Sequence, residues 1–493
     1  MSKFISVLMV TPEVYPFLKT SELADLCYAH ALGSREVGHD LRIMAPKYGF
    51  ISERKNRIHD INRLKDLPIT IGSKTSLATV KSSSINNPRV KVQAYITTNS
   101  DLLDANKGVL VDNTTGKAFS NNDERFIFFN RTVVETCLLL GWFPDVIQCV
   151  GWQTALLPAY LRTMYAEEFK NTRIIQTIVN FEEQGVFGLK AITKSGLPDK
   201  AVKILKYKEK ANFLRAGIAF ADAVTTLSPE YAAEVSATKE WQSSWAPLLK
   251  KGTQLVGIPH GVDKMQWNPK TDPFLRSKFD VNQKQNKIRI HEQLQRAAGL
   301  KVQGNSIVAS FIGPLTKANG CEILAAAIPA LVKEGIQVLV ATDVPTGLSK
   351  TFEALVKKYP GMVRLKHAID EEFLHNCIAG STLLLKPSVH EASGQFQRCA
   401  LLYGTVPVVR KTGGLAHGMT DVDASAEPSG NAILFDKATA AALTEAVLKA
   451  ASLYANPNTW DIIVTNAMNT DVRWTLSALP YDEFYRNLVK DTK

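Results

Sequence analysis

The sequence is poor in cysteine, with six in 493 residues and no Cys-x-x-Cys spacing. That argues against a disulfide framework or a cysteine zinc site and fits a reducing compartment. No apolar run approaches 18 residues, so no membrane span is expected. The N-terminus from Met1 to Val10 has only a short apolar run and passes straight into a turn, unlike a secretory signal peptide. The expected location is cytoplasmic, or a plastid or other organelle if a targeting segment has been removed. Short-period repeats and low-complexity tracts are absent, so solenoid and disordered classes drop out.

Positive charge is in modest excess: 58 Lys and Arg against 47 Asp and Glu, a formal net charge of +11. Such a balance favours anionic partners, among them nucleic acid, acidic membrane and phosphorylated small molecules. The densest basic runs, Lys200–Lys210 and Lys284–Arg296, carry no nucleic-acid motif and read as solvated faces. No nucleic acid and no membrane are therefore expected as partners. His390 and His417 have no third ligand at metal spacing, so no metal and no cofactor are expected.

Apolar periodicity predicts a βαβ opening, with a strand over Phe4–Val10, a helix over Leu23–Leu32 and a strand over Asp40–Ala45. A hairpin region follows at about Ile69–Ile96. Helices are predicted over Glu124–Leu140, Trp152–Met164 and Phe213–Phe220, and strands over Asp145–Cys149, Arg173–Val179 and Ala223–Leu227. A second βαβ series starts at Ile307–Ile312 and continues through Cys321–Lys333 and Gln337–Ala341. Helices over Ala438–Tyr454, Trp460–Met468 and Pro480–Val489 close the chain. The fold class read from this pattern is α/β, with doubly wound domains.

One stretch concentrates ligand-binding chemistry. An apolar strand at Thr382–Leu385 ends in the loop from Pro387 to Gly394, and a second strand, Val406–Arg410, runs into Thr412-Gly413-Gly414. Two strand ends and a helix N-terminus meet there, and that edge of a parallel sheet is where such folds bind ligands. Glu391 is placed to accept a sugar hydroxyl, or to act as a helix N-cap. The Gly413-Gly414 pair suits either an anion or a tight strand-to-helix turn.

The run Glu391, Gly394, Gln397 and Tyr403–Leu415 resembles the nucleotide-sugar loop of bacterial glycogen synthases and plant starch synthases. Further matches are Asn122-Asp123 with Arg125-Phe126, Pro144-Asp145-Val146, Leu157–Leu161, Phe213–Gly217, Ser228-Pro229 and Gly261-Val262-Asp263 with Trp267 and Pro269. The resemblance covers nearly the whole chain. It implies a GT-B fold of two Rossmann-like domains facing a cleft: residues 1–262 on the acceptor side, residues 263–475 of nucleotide-sugar type, and residues 476–493 as a helix returning to the first domain.

Transfer of glucose from a nucleotide diphosphate needs cations and amides for the leaving diphosphate, and fixed partners for the sugar. Against the family pattern, Lys19 is retained but the adjoining Gly-Gly is Ser21-Glu22. Pro314 stands for the family's phosphate-binding Arg, and Asn319 for its Lys. Val150 replaces the His that meets the transferred glucose, Gly151 the following Asp, and Val179 the His of a neighbouring loop. Lys208-Glu209 replaces Asn-Gly, and His260 replaces an Asn and is expected to fill a turn. Lys19, Gln397, Thr412, Gly413 and Gly414 remain as expected nucleotide-sugar residues, and Glu391 as the candidate catalytic residue, held by resemblance to bind the donor glucose. Tyr95 and Trp152 are candidates for stacking on sugar rings, with core packing the alternative for Trp152.

The pattern points to a glycogen- or starch-synthase-like protein that is inactive or strongly impaired, with a glucan-binding or regulatory role beside an active synthase or another glucan-metabolism protein. The alternative is an active glycosyltransferase using ADP-glucose or another nucleotide sugar on an α-1,4-glucan.

Overall fold

The computed structural model describes residues 4–112, 115–342, 345–423 and 428–490. Two units emerge. The first comprises residues 1–113, 117–260 and 474–493, and the second residues 114–116 and 261–473. No helix among the described residues is long and apolar enough to cross a membrane. None of the six cysteines forms a disulfide, and all six are buried.

The first unit opens with β1 (Ser6–Val10), α1 (Glu22–Glu36) and β2 (Asp40–Pro46). The expected hairpin region is β3 (Leu67–Ile71), β4 (Lys74–Asn86) and β5 (Lys91–Thr98), antiparallel to one another. It is not free-standing, because β5 also pairs in parallel with β2 and extends the main sheet. Then follow α2 (Asn122–Leu140), β6 (Val146–Val150), α3 (Leu157–Thr163) and β7 (Arg173–Ile178). A small hairpin, β8 (Lys206–Tyr207) and β9 (Lys210–Asn212), leads to α4 (Phe213–Phe220), β10 (Ala223–Thr226) and β11 (Leu255–Gly257). The parallel part of the sheet has the order β11-β10-β7-β6-β1-β2-β5. Winding reverses between β1 and β6, the place where open sheets leave a crevice beyond their strand ends.

The helix expected over Trp152–Met164 is broken. Trp152–Thr154 is a 3₁₀ turn and α3 begins only at Leu157. Pro158 lacks an N–H and suits the first turn of a helix, not its interior. Asn130 on α2 stabilises the break, accepting from Leu157 N at 2.8 Å and donating to Gln153 O at 2.7 Å.

The β8–β9 hairpin turns on two residues, Lys208 and Glu209, at φ +48° and +55°. Such a turn suits Asn-Gly, because side chains with a Cβ pay about 1–2 kcal/mol in the left-handed region. The Lys206–Glu209 ion pair at 3.1 Å is exposed and returns little. The double variant Lys208→Asn/Glu209→Gly is therefore expected to stabilise the protein by about 1–2 kcal/mol. Thermal unfolding checks this, and an unchanged or lower midpoint contradicts it.

The second unit is a six-stranded, wholly parallel sheet: β12 (Val308–Ile312), β13 (Gln337–Ala341), β14 (Val363–Lys366), β15 (Leu383–Lys386), β16 (Val406–Arg410) and β17 (Ile433–Phe435). Its order is β14-β13-β12-β15-β16-β17, a doubly wound arrangement whose switch point lies between β12 and β15. Alternate residues of β12 feed two cores, Val308 and Ile312 one face, Ala309 and Phe311 the other. Helices cover such a sheet on both sides, here including α5 (Cys321–Lys333), α6 (Glu371–Gly380) and α7 (Gln395–Leu402). The expected closing helices are Ala440–Tyr454, Pro457–Asn469 and Thr475–Lys490; the last belongs to the first unit.

Candidate functional site

In the first unit the switch point is bounded by the loop between β1 and α1. Glu13, 4% exposed, organises it. Its carboxylate accepts from Thr20 N at 2.7 Å, Thr20 Oγ1 at 2.9 Å, Ser21 N at 3.3 Å and Ser21 Oγ. Burial raises the Glu13 carboxyl above its ordinary range, against these hydrogen bonds. Ser21 caps α1, its Oγ accepting from Leu23 N at 3.2 Å. Two amides that could face a phosphate are thus turned onto Glu13. Lys19 is paired with buried Asp25 at 2.8 Å. Glu22 sits half-exposed in the first turn of α1, where a carboxylate suits the helix dipole.

At the end of β6, Val150 is 3% exposed and lines a cavity of about 10 Å³ with His30, Gln148, Thr177 and His260. That is room for about one water molecule, not a sugar. Gly151 has φ +77°, and a Cβ there would meet Gln153 Oε1 at 2.5 Å, so an Asp would not fit without displacing Gln153. His30 Nε2 lies 3.0 Å from Gln148 Oε1 and 2.8 Å from Tyr485 Oη of the C-terminal helix. Burial pushes the His30 imidazole down to about 3, with His260 acting in the same direction. His260 does more than fill a turn: it is buried, edge-on to the rings of His30 and Tyr481.

The two proposed stacking residues are buried in the first unit. Trp152 packs edge-on against Phe126 and Phe213. Tyr95 is 7% exposed, and its hydroxyl accepts from Arg42. Neither ring presents an open face to a sugar, so these expectations are corrected in favour of core packing.

In the second unit, the loops after β12 and β15 pack on each other. A Cβ at Gly320 would lie 2.0 Å from Pro387 O, and Val389 N donates to Ala318 O. Pro314 is exposed, and Asn319 Nδ2 donates to Pro314 O at 2.8 Å, which closes the loop on itself. Lys317, in the same loop, is drawn to Glu322 at 3.3 Å.

The β15–α7 loop carries Glu391. It does not cap α7: the cap is Gly394, at φ +68° with no side-chain hydrogen bond. Instead Glu391 Oε2 lies 3.7 Å from Lys386 Nζ. Glu391 O accepts from Gly414 N at 2.9 Å, so that amide serves the turn and not a ligand. A Cβ at Gly414 would strike Ala392 O and Ser393 O at about 2.6 and 2.5 Å. Gln397, fully buried, donates to Gly414 O at 3.1 Å, and Thr412 Oγ1 to Val389 O at 3.4 Å. The structure thus brings Glu391, Gln397, Thr412, Gly413 and Gly414 together, mainly as one interlocked turn.

Sequence reasoning passed over Lys386, Arg398 and Glu13. A lone lysine closing the apolar strand Leu383–Lys386 was the available signal. Glu13 left none, because its role depends on the loop folding back over it.

A family model for the starch synthase catalytic domain matches residues 6–250. The glycogen synthase of Chlorobium phaeobacteroides is 33% identical over 98% of both chains, and that of Chlorobaculum tepidum 32% over 98% of both. Among solved structures, the catalytic domain of starch synthase IV from Arabidopsis thaliana, bound to ADP and acarbose, is similar with a TM-score of 0.86 and 25% identity, covering 99% of this chain and 100% of that one. Sucrose-phosphate synthase from Thermosynechococcus elongatus, at 14% identity and a TM-score of 0.58, shares the fold, again over 99% and 100% of the two chains. The fold is α/β of the GT-B type, and the chain belongs to the glycogen synthase and starch synthase family.

Proposed function

We propose that this chain is a glucan-metabolism protein that has lost, or nearly lost, glucosyl transfer. In this reading it acts as a non-catalytic α-glucan binder or as a partner of an active synthase. One observation carries the reading: the polar groups that remain at the two sheet edges are bonded within the protein. Thr20 and Ser21 amides go to Glu13, the Asn319 amide to Pro314 O and the Gly414 amide to Glu391 O. The kinship with glycogen synthases supports a glucan as the contacted polymer. Affinity electrophoresis in glycogen or amylopectin gels, with a pull-down using an active synthase from the same cell, tests the role. Retarded migration or recovery of that synthase is expected; failure of both removes the role and leaves only the fold.

The second reading, an active transferase with a rebuilt donor site, draws on Lys19, Glu391 and the Thr412–Gly414 turn, all of which are retained. Calorimetric titration with ADP separates the two readings. Weak or absent binding is expected, and the triple variant Glu22→Gly/Pro314→Arg/Asn319→Lys should gain affinity, since the turn is already in place. A triple variant no better than the parent means that these three side chains are not what the site lost.

A further inference from the structure

The basic run Lys200–Lys210, which reads from the sequence as a solvated face, is part of a larger charged surface on the first unit. Residues 190–215 carry eight Lys and Arg against two acidic residues, Asp199 and Glu209, an excess of six in a chain whose net charge is +11. The structure gathers them. The helices Lys190–Ser195 and Asp199–Leu205 lead into the β8–β9 hairpin and α4, and β9 also pairs with a short strand, Val186–Phe187. The turn between β3 and β4 docks on the first of these helices, Gly72 N donating to Lys194 O at 2.9 Å, which brings exposed Lys74 beside the segment.

Some of this charge is neutralised within the chain. Lys194 is held by Asp123 and Glu124 at 2.7 Å each, and Lys206 by Glu209. Lys190, Lys200, Lys203 and Lys210 are exposed and form no ion pair among the described residues. Lys200 and Lys203 are three apart on one helix and share its face. Tyr207 stands opposite Lys210 in the hairpin, so their side chains share a face of it. The Arg215 guanidinium lies 4.0 Å from the centre of the Tyr207 ring, and the Lys208 ammonium 5.1 Å. A hydrogen bond with Ser244, then these cations, hold the Tyr207 phenol below its ordinary pKa. Lys208 stands at φ +48°, so its charge is presented at a backbone cost. Uncompensated like charge on one surface is self-repelling, and a partner of opposite charge relieves it.

The side chains separate the possible anions. Arg215 is already spent, donating to Ile204 O at 3.4 Å and Ser244 O at 2.7 Å, so it offers no free fork to a phosphate. The Tyr207 ring is taken up by Arg215 and Lys208 and gives no open platform on which a base could stack. Beside the lysines, Val186 and Leu189 are 52% and 42% exposed. Point charges on lysine mixed with exposed aliphatic side chains suit a polypeptide rather than a phosphate backbone.

We infer that the surface of residues 186–215 binds an acidic segment of a partner protein, with Lys190, Lys200, Lys203, Lys208 and Lys210 as its cations. The inference rests on the partner-protein reading proposed above and names the face and the chemistry of that contact.

The test is binding of labelled poly-L-glutamate to the full chain, followed by fluorescence anisotropy at low and high salt. The parent should bind at low salt and release the probe at high salt, as exposed charges do when screened. Lys200→Glu/Lys203→Glu/Lys210→Glu should weaken binding by about tenfold or more, because each reversal turns an attraction into a repulsion. The control Lys350→Glu/Lys357→Glu/Lys358→Glu, on an exposed helix of the second unit, changes the net charge equally and should leave the affinity unchanged. No binding by the parent, or equal weakening by the two variants, overturns the inference. A single-stranded oligonucleotide that binds more tightly than polyglutamate and is lost in the first variant overturns the choice of a polypeptide. If the first variant does not fold, Lys200→Gln/Lys203→Gln/Lys210→Gln decides by the same comparison with the control. A parent that binds polyglutamate at this surface but recovers no synthase sinks the partner reading and leaves the surface standing. A first variant that recovers the synthase as well as the parent does leaves the partner reading standing and overturns the surface.

Discussion

Incubated with ADP-glucose and a glycogen primer, the protein is expected to transfer no measurable glucose. Three positions carry this expectation. Val150, where the family has a His, presents methyl groups to a cavity of about 10 Å³ and can neither donate nor accept a hydrogen bond. Pro314 offers no cation, and the Asn319 amide is bonded to Pro314 O at 2.8 Å. Removing one preorganised group that stabilises transition-state charge costs about 2.7–4 kcal/mol. At about 1.36 kcal/mol per tenfold in rate, a single loss is worth about a hundredfold or more. Groups acting as a unit combine less than additively, yet two such losses already place turnover below ordinary detection. Incorporation of labelled glucose into glycogen is the measurement. Turnover within about a hundredfold of an ordinary synthase would sink the expectation.

The second large effect is on stability. Asp272, His375 and Tyr403 form a buried network in the second unit, each essentially without exposure. Asp272 Oδ2 takes His375 Nδ1 at 2.7 Å and the Tyr403 hydroxyl at 2.5 Å, while Oδ1 accepts from Phe274 N at 2.9 Å. The His375 ring stacks on Trp267 at 4.0 Å, with 5° between the planes. The network ties the segment after Trp267 to α6 and to the end of α7. Asp272→Ala strands two buried donors, on His375 and Tyr403, together with the part-buried Phe274 amide, and is expected to cost about 3–5 kcal/mol. A chemical denaturation midpoint close to the parent's would contradict that.

The same pair sets a pH dependence. Burial disfavours charge on His375, but its bonds to Asp272 and Glu371 outweigh this and hold its pKa above the ordinary value. Burial likewise works against the Asp272 carboxylate, yet the donors His375 and Tyr403 hold its pKa below the ordinary range. The His375 contribution is therefore full below its ordinary pKa of about 6.5 and is lost as pH rises through the raised folded value. The Asp272 contribution is full above about 3.9 and is lost as pH falls through the depressed value. Stability from this pair peaks between those limits. The unfolding temperature should drop as pH rises above the ordinary histidine value of about 6.5, and His375→Gln should flatten that drop. A parent and variant with parallel pH profiles would show that the pair does not titrate in this range.

The alternating and continuous apolar runs determined most of this fold from the sequence alone. Cys321–Lys333, Gln337–Ala341 and Val406–Arg410 appear with the boundaries their periodicity predicts, because burial on a helix stripe or on both faces of a strand is written residue by residue. Trp152–Met164 failed because a proline within an apolar run ends or starts a helix according to what caps it, and the cap is Asn130, on another helix. That Val150, Pro314 and Asn319 carry no positive charge is also read directly from the sequence, since the chemistry of a single side chain is a local fact. What the neighbouring polar groups bond to was decided only in three dimensions. Glu13 consumes the Thr20 and Ser21 amides across a folded loop, and Glu391 turns from a helix cap to Lys386, five residues before it in the chain. Tyr95 and Trp152 carry rings able to stack on sugar, but the packing around them closes both faces. Whether a polar group faces a ligand or another part of the chain depends on distances between strand ends, and those distances are set by sheet order, not by spacing in sequence.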